Sequence, residues 1–269
     1  MRVSRRCKLL LAGASWLATL AGCRMPPQVP APSPATAPPV SVPLHVGTPY
    51  EVVPEASLLV VLVYRGGALA SAGHNHVIAS HELSGTLYLP ADRLLGSFEL
   101  HVPVATLTVD EAPLRAEQSA GEFPPDVSES AREGTRRNML GPALLDAAHY
   151  PQIVLRALRL QPPAAGTASA ANAGTVVAQV QSTVRAAERS FAVPVHYTLG
   201  SGTLVACGEF ALRQSDLGLT PFSAMLGALQ VQDEMHVSFR ISARAAQLSA
   251  GPAPPTALAP DTPCAAPRP

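Results

Sequence analysis

The chain has 269 residues, 19 basic and 19 acidic, so its formal net charge is zero, and it lacks the basic footprint that nucleic-acid binding requires. Charged residues make up only 14% and aromatics 4% against 47% hydrophobic, so the apolar content is largely Ala, Val and Leu. Ten of the 28 prolines fall between Pro26 and Pro54 and seven between Pro252 and Pro269, which leaves one folding domain of about 190 residues between two segments unable to build a core.

In chain order, Arg2, Arg5, Arg6 and Lys8 precede an apolar run from Leu9 to Leu20. The run is shorter than the roughly 20 residues of a membrane-spanning helix and has the length of the apolar centre of a secretion signal. It ends Leu20-Ala21-Gly22-Cys23, which resembles the lipobox of bacterial lipoproteins. The resemblance implies loss of residues 1–22 as a signal peptide and acylation of Cys23, a lipid attachment that holds the protein on a membrane. Arg24, rather than Asp, follows the cysteine, and by the same resemblance this implies the periplasmic face of the outer membrane. Residues 23–57 are expected to form an extended linker, because proline fixes φ and removes backbone donors.

Between residues 58 and 246 the pattern is that of strands. Leu58 to Tyr64 is a β-rich apolar run, and Leu83 to Leu89 and Phe98 to Val104 alternate with a period of two. Val177 to Val184, Phe191 to Leu199, Thr203 to Leu212 and Gln230 to Ala243 continue the series. Residues 186–190 are read as a hairpin loop, 161–174 as an extended mobile loop, and Gly200-Ser-Gly202 as a tight turn. A helix is expected from a cap at Ser128 or Ser130 through Met139, broken at Gly141-Pro142, with a second helical piece over Ala143 to Ala148. About eight strands with one short helical insertion predict an all-β, lipocalin-like antiparallel barrel, whose interior is just wide enough to be filled by side chains or to hold one small ligand. Residues 247–269 are expected to be a disordered Pro/Ala-rich tail. Cys207 and Cys264 have the option of pairing in an oxidising compartment, with Cys264 placed in that tail.

The segment from Asn138 to Pro151, with its Leu144-Leu145 pair, Asp146 and Tyr150-Pro151, followed by Ile153-Val154-Leu155, resembles the helix-to-strand signature of the YceI-like family. Arg213 to Leu219, including Asp216 and Gly218, then Val231 and Asp233, resembles that family's last hairpin. Gly73-His74-Asn75-His76 resembles a variant seen in some relatives. The resemblance covers about residues 58 to 246. It implies a barrel with an elongated apolar cavity for a polyisoprenoid or other long-chain amphiphile. This sequence departs from the family where Asn138-Met139 replaces a His-Leu pair and where Leu144-Leu145 replaces two Phe.

Residue chemistry leaves three readings. In the first, a lipid-like or isoprenoid ligand lies against inward residues Leu83, Leu87, Phe98, Leu100, Leu144, Leu145 and Phe239. In the second, the barrel is filled and acts as a non-enzymatic interaction module. In the third, His74 and His76, two apart and therefore on one face of a strand, hold a metal with a further imidazole from His81, His101, His196 or His236. Set against this last reading, His74, Asn75 and His76 satisfy backbone groups in a turn. No nucleophile elbow, zinc-protease helix or phosphate-cradling glycine loop is present, so no catalytic residue and no cofactor is expected. Arg136-Arg137 is either a solvated helix face or a contact for an anionic head, and Asp216 is expected to cap the turn before Gly218.

Overall fold

Residues of alternating character build strands whose apolar faces all need the same cover, and the sheet provides it by closing on itself. The computed structural model describes residues 46–163, 173–246 and Cys264. Cys23, the signal peptide, most of the expected linker, most of the 161–174 loop and the rest of the tail lie outside the described residues. The strands are β1 (Thr48–Val52), β2 (Leu58–Gly66), β3 (His76–Ser80), β4 (Ser84–Leu89), β5 (Ser97–Pro103) and β6 (Thr108–Val109), then β7 (Gln152–Gln161), β8 (Ala173–Val184), β9 (Ala187–Leu199), β10 (Thr203–Arg213), β11 (Ser223–Ala224) and β12 (Leu229–Ala245). Two helices, α1 (Ala112–Ala116) and α2 (Glu129–Leu140), interrupt the series between β6 and β7.

Eight strands form a closed antiparallel ring in the order β1-β4-β5-β7-β8-β9-β10-β12, and β12 returns to β1 through the pairs Tyr50↔Ala245 and Val52↔Ala243. This is the lipocalin-like barrel with a helical insertion that the alternation predicts. The other half of β12 pairs β2, from Arg240↔Leu58 to Gln230↔Gly66 with a register shift between Met235 and Val231, and β2 carries β3 and then β6. A 3-10 turn at Pro54–Ala56 separates β1 from β2. The buried Ser57 ties that break to β12: its hydroxyl donates to Val53 O (2.8 Å) and accepts from Ser242 N–H (3.1 Å). Inward residues of β8 (Val176, Ala178, Val180, Ser182, Val184) and β12 (Met235, Val237, Ile241, Ala243, Ala245) are buried, and the half-buried Phe239 completes the alternation along β12.

Helix α2 is capped as expected, with Ser128 Oγ accepting from Ala131 N–H. It packs Met139 and Leu140 against the main core cluster. Several expectations need correction. The barrel begins at Thr48, not after residue 57: Pro49 and Pro54 read as linker, yet one lies near a strand start and the other opens a turn, both positions that proline tolerates. Ala143 to Ala148 is a set of turns rather than a helix, because Asp146 adopts φ +49° and its N–H returns to Gly141 O (2.8 Å). The β8–β9 hairpin turns at Arg185, whose φ is +55°, so Glu188, Arg189 and Ser190 belong to the exposed part of β9. Asp233, not Asp216, secures the turn at Ser215–Leu217, accepting from Ser215 N–H (2.8 Å) and Oγ (2.6 Å). Ser215 thereby holds the Asp233 carboxyl below its ordinary pKa. The short helix α1 and the strands β3 and β6 were not legible in the periodicity.

Cys207 on β10 and Cys264 form a disulfide, Cα to Cα 5.5 Å, across 57 positions. Arg240 donates to the Cys264 carbonyl beside it, so the expected tail is tied to the barrel wall at this residue. By loop-closure entropy, a bridge over a loop of this size contributes about 4 kcal/mol. The double variant Cys207→Ser/Cys264→Ser is expected to lose about that much in urea unfolding monitored by circular dichroism. A change below about 1 kcal/mol would show that the bridge does not restrain the unfolded chain.

Candidate functional site

The closed ring leaves a partly open space of about 300 Å³, at the lower end of the roughly 300–1,000 Å³ of small-molecule sites. Alternation supplies its wall, since each strand turns every second side chain inward. All seven residues expected to face inward, Leu83, Leu87, Phe98, Leu100, Leu144, Leu145 and Phe239, line it. They are joined by Leu59, Val61 and Ile78 from the branch strands β2 and β3, which the sequence reading did not include.

The register places the two ends of this space. The β4–β5 ladder runs from Ser84↔His101 to Tyr88↔Ser97, and β7–β8 from Val154↔Thr183 to Gln161↔Val177. One end is therefore closed by Leu107, Met139, Leu144 and Leu145 of the α2 region. The other is bordered by Tyr88, Arg93, Gly96, Ser97 and Tyr197, where a 3-10 turn at Arg93–Leu95 links β4 to β5. Asp92 caps this turn, its side chain accepting from Leu94 N–H. Among the described residues no Asp or Glu lines the cavity.

A buried polar network lies beside α2. Asp110 follows β6 in the left-handed region (φ +53°), a conformation that Asp and Asn tolerate better than most residues. Its Oδ1 accepts from Val77 N–H (2.9 Å) and Arg115 Nη1 (2.7 Å), and its Oδ2 from His76 Nδ1 (2.6 Å). An ionised carboxylate only accepts, so Nδ1 of His76 carries the proton. In the neutral ring Nε2 then accepts from Thr135 Oγ1 on α2 (3.1 Å). Arg115 also donates to Pro124 O (2.7 Å) and Asn75 O (2.9 Å), and lies over the Phe123 ring at 5.6 Å. Burial alone pushes the Asp110 carboxyl up. The hydrogen bonds from His76 and Val77 N–H, with the charges of His76 and Arg115, outweigh it and hold the carboxyl below its ordinary value.

Hydroxyl, imidazole and carboxylate stand here in the order of a proton relay, but neither His76 nor Thr135 lines the cavity. The network instead joins β3, the Asp110 loop, α1 and α2. Asn75 satisfies backbone groups as anticipated, accepting from Arg65 N–H and donating to Glu122 O, both at 3.0 Å. His74 is exposed, its ring 6.1 Å from that of His76. Both His76 ring nitrogens are engaged, and among the described residues no group of three or more His, Cys, Asp or Glu is placed to hold a metal. His81 pairs with Glu111, His101 with Glu99, and His196 with Thr175, so these imidazoles do not converge on His74 and His76. Arg136 donates to Leu107 O and Ala105 O, fastening α2 to the chain before β6. Asp110 and Thr135 were missed because their partner His76 lies 34 and 59 positions away, and Arg115 because it joins the same network through Asp110. The available signal was the Asp at the end of a β-rich apolar run.

No protein-family model matches the chain, and no curated protein matches it. Solved structures with a similar course include BcnA of Burkholderia cenocepacia, 16% identical with a TM-score of 0.49 over 71% of this chain and 98% of that one. A polyisoprenoid-binding domain from Saccharophagus degradans is 13% identical, TM-score 0.47, over 73% of this chain and 98% of its own. A YceI protein of Campylobacter jejuni is 7% identical, TM-score 0.40, over 61% and 81%. The fold described above rests on this chain's own strand pairing.

A carboxyl whose folded pKa is depressed contributes stability that is present above its unfolded value and lost as pH falls through the folded one. Asp110→Asn keeps the shape and the left-handed backbone but leaves Arg115 buried without its anion, at an expected cost of about 3–5 kcal/mol near neutral pH. Urea unfolding at pH 7 and again below the ordinary carboxylate range of about 4 tests this. The gap between variant and parent should narrow in acid, and a gap that is the same at both values would contradict the assignment.

Proposed function

We propose that the barrel binds one long-chain apolar or amphiphilic molecule, lipid-like or isoprenoid-like, and that the protein does so tethered through Cys23 to the periplasmic face of the outer membrane. The observation that carries the binding reading is the cavity inside the barrel with its almost wholly aliphatic and aromatic lining. An apolar occupant shields this lining from water, which contributes roughly 25 cal/mol per Å² of apolar surface buried. The ligand is held by exclusion from water rather than by polar contacts, which favours a class of chains over one compound. The tether rests on the lipobox resemblance at Leu20 to Cys23 and on the proline-rich residues that follow. No reaction is proposed.

Filling the cavity tests the binding reading. Leu87 and Val180 lie on different walls, and Leu87→Trp with Val180→Phe places aromatic volume into existing space, where overpacking costs about 1–3 kcal/mol. The parent is expected to take up a fluorescent acyl-chain probe and a polyprenyl alcohol. The double variant, still folded by circular dichroism, should bind at least about tenfold more weakly, a loss of about 1.4 kcal/mol. A parent that takes up neither probe, or a filled variant that binds as well as the parent, would contradict the reading.

A further inference from the structure

Two turns meet beyond the Leu229 end of β12. One, residues 67–73, follows β2, and the other, residues 225–228, joins β11 to β12. Leu69 N–H donates to Ala228 O (2.7 Å) and Ala228 N–H to Met225 O (3.1 Å), so the turns are fastened backbone to backbone. Gly67, at φ +86°, allows this approach, because a Cβ there would stand 2.4 Å from Ala228 O.

The paired turns display three large apolar side chains. Leu69 is 44% exposed, Met225 is 70% exposed and Leu226 stands wholly in solvent. Met225 and Leu226 also hold the left-handed conformation, at φ +51° and +55°, which glycine takes freely and bulky residues do not. Each therefore combines a strained backbone with an exposed apolar side chain, and strain of this kind persists where function uses it. Charge is absent around them: residues 66–73 and 217–232 contain no Asp, Glu, Lys, Arg or His.

We propose that this tip inserts Leu69, Met225 and Leu226 into the interfacial layer of a lipid membrane. Three side chains of this size offer roughly 300 Å² of apolar surface, well short of the about 800 Å² that a stable protein interface takes from each partner. A lipid surface requires no matching shape, and an uncharged tip enters it without taking an ion out of water. Each side chain buried there favours the bound state about tenfold or more. The contact is independent of the cavity and adds to the tether proposed above. The 17 residues of β12 cover at most about 55 Å from the tip to the end where Val46 stands. The chain from Cys23 to Val46 reaches up to about 75 Å, enough for tip and anchor to meet one membrane face.

The test uses the chain from residue 23 onward carrying Cys23→Ser, which lacks both the acylation site and the apolar run of residues 9–20. The single Trp of the sequence is Trp16, so Leu226→Trp in this chain is the sole indole and reports on the tip. Its emission should shift to the blue on phosphatidylcholine vesicles, and equally on vesicles that also contain phosphatidylglycerol. The parent should float with both. Met225→Asn with Leu226→Asn keeps the left-handed turn, which Asn tolerates, and should lower vesicle partitioning about tenfold or more with circular dichroism unchanged. A parent that does not float, or an Asn pair that floats as the parent does, would overturn the proposal. Flotation confined to phosphatidylglycerol vesicles and abolished by salt would overturn it in favour of attraction by surface charge. A parent that dimerises without lipid, with a monomeric Asn pair, would overturn it in favour of a contact between copies. Each of these outcomes leaves the tether and cavity readings intact.

Discussion

The 17-residue strand Leu229–Ala245 makes the architecture possible by pairing with three long neighbours, besides the two-residue strand Ser223–Ala224. Along one edge it pairs with Thr203–Arg213 over eleven consecutive positions, from Thr203↔Arg244 to Arg213↔Glu234. Along the other it meets first Thr48–Val52 and then Leu58–Gly66, the two separated by the turn at Pro54. The first of these contacts closes the ring and the second sends a branch of sheet off it. A closed ring has no unpaired edge, which removes the principal liability of an antiparallel sheet. Closure also fixes where the inward side chains point, so the interior exists because this strand is long enough to serve both partners.

The price of an interior made from mid-sized aliphatics is that one end must be shut by something other than a strand. Helix α2 and the turns after it do this, and they are secured by polar contacts as well as by packing. His76, Asp110 and Arg115 tie the branch strands and α1 to α2, through Thr135 at the helix. Arg136 adds donors to the carbonyls of Ala105 and Leu107. Buried polar networks of this kind are costly when one member is missing and specify a single arrangement when complete. At this end the network sets geometry.

Much of this was readable in the residues. The strands β4, β5, β8, β10 and β12 follow from a period of two, and the same period places Leu87, Phe98 and Phe239 inside, since in a closed ring every inward face shares one interior. What escaped has physical causes. Thr48–Val52 looked like linker because Pro49 lies within it and Pro54 just after it, although a proline near a strand start and another opening a turn are both tolerated. Glu188 to Ser190 looked like a loop because its charges sit on an exposed strand face. The partners of His76, 34 positions away at Asp110 and 59 at Thr135, are joined by topology, which local pattern does not encode.

The central claim is that the interior is a space for a chain and not a packed core. Native mass spectrometry of the full chain carrying Cys23→Ser, purified without a histidine tag, addresses it most directly. The account predicts a discrete non-covalent adduct that is lost on denaturation and fragments as a long-chain lipid. It also predicts that protein stripped by organic extraction regains one equivalent when offered lipids from the producing cells. A bare mass before and after that exposure would contradict it.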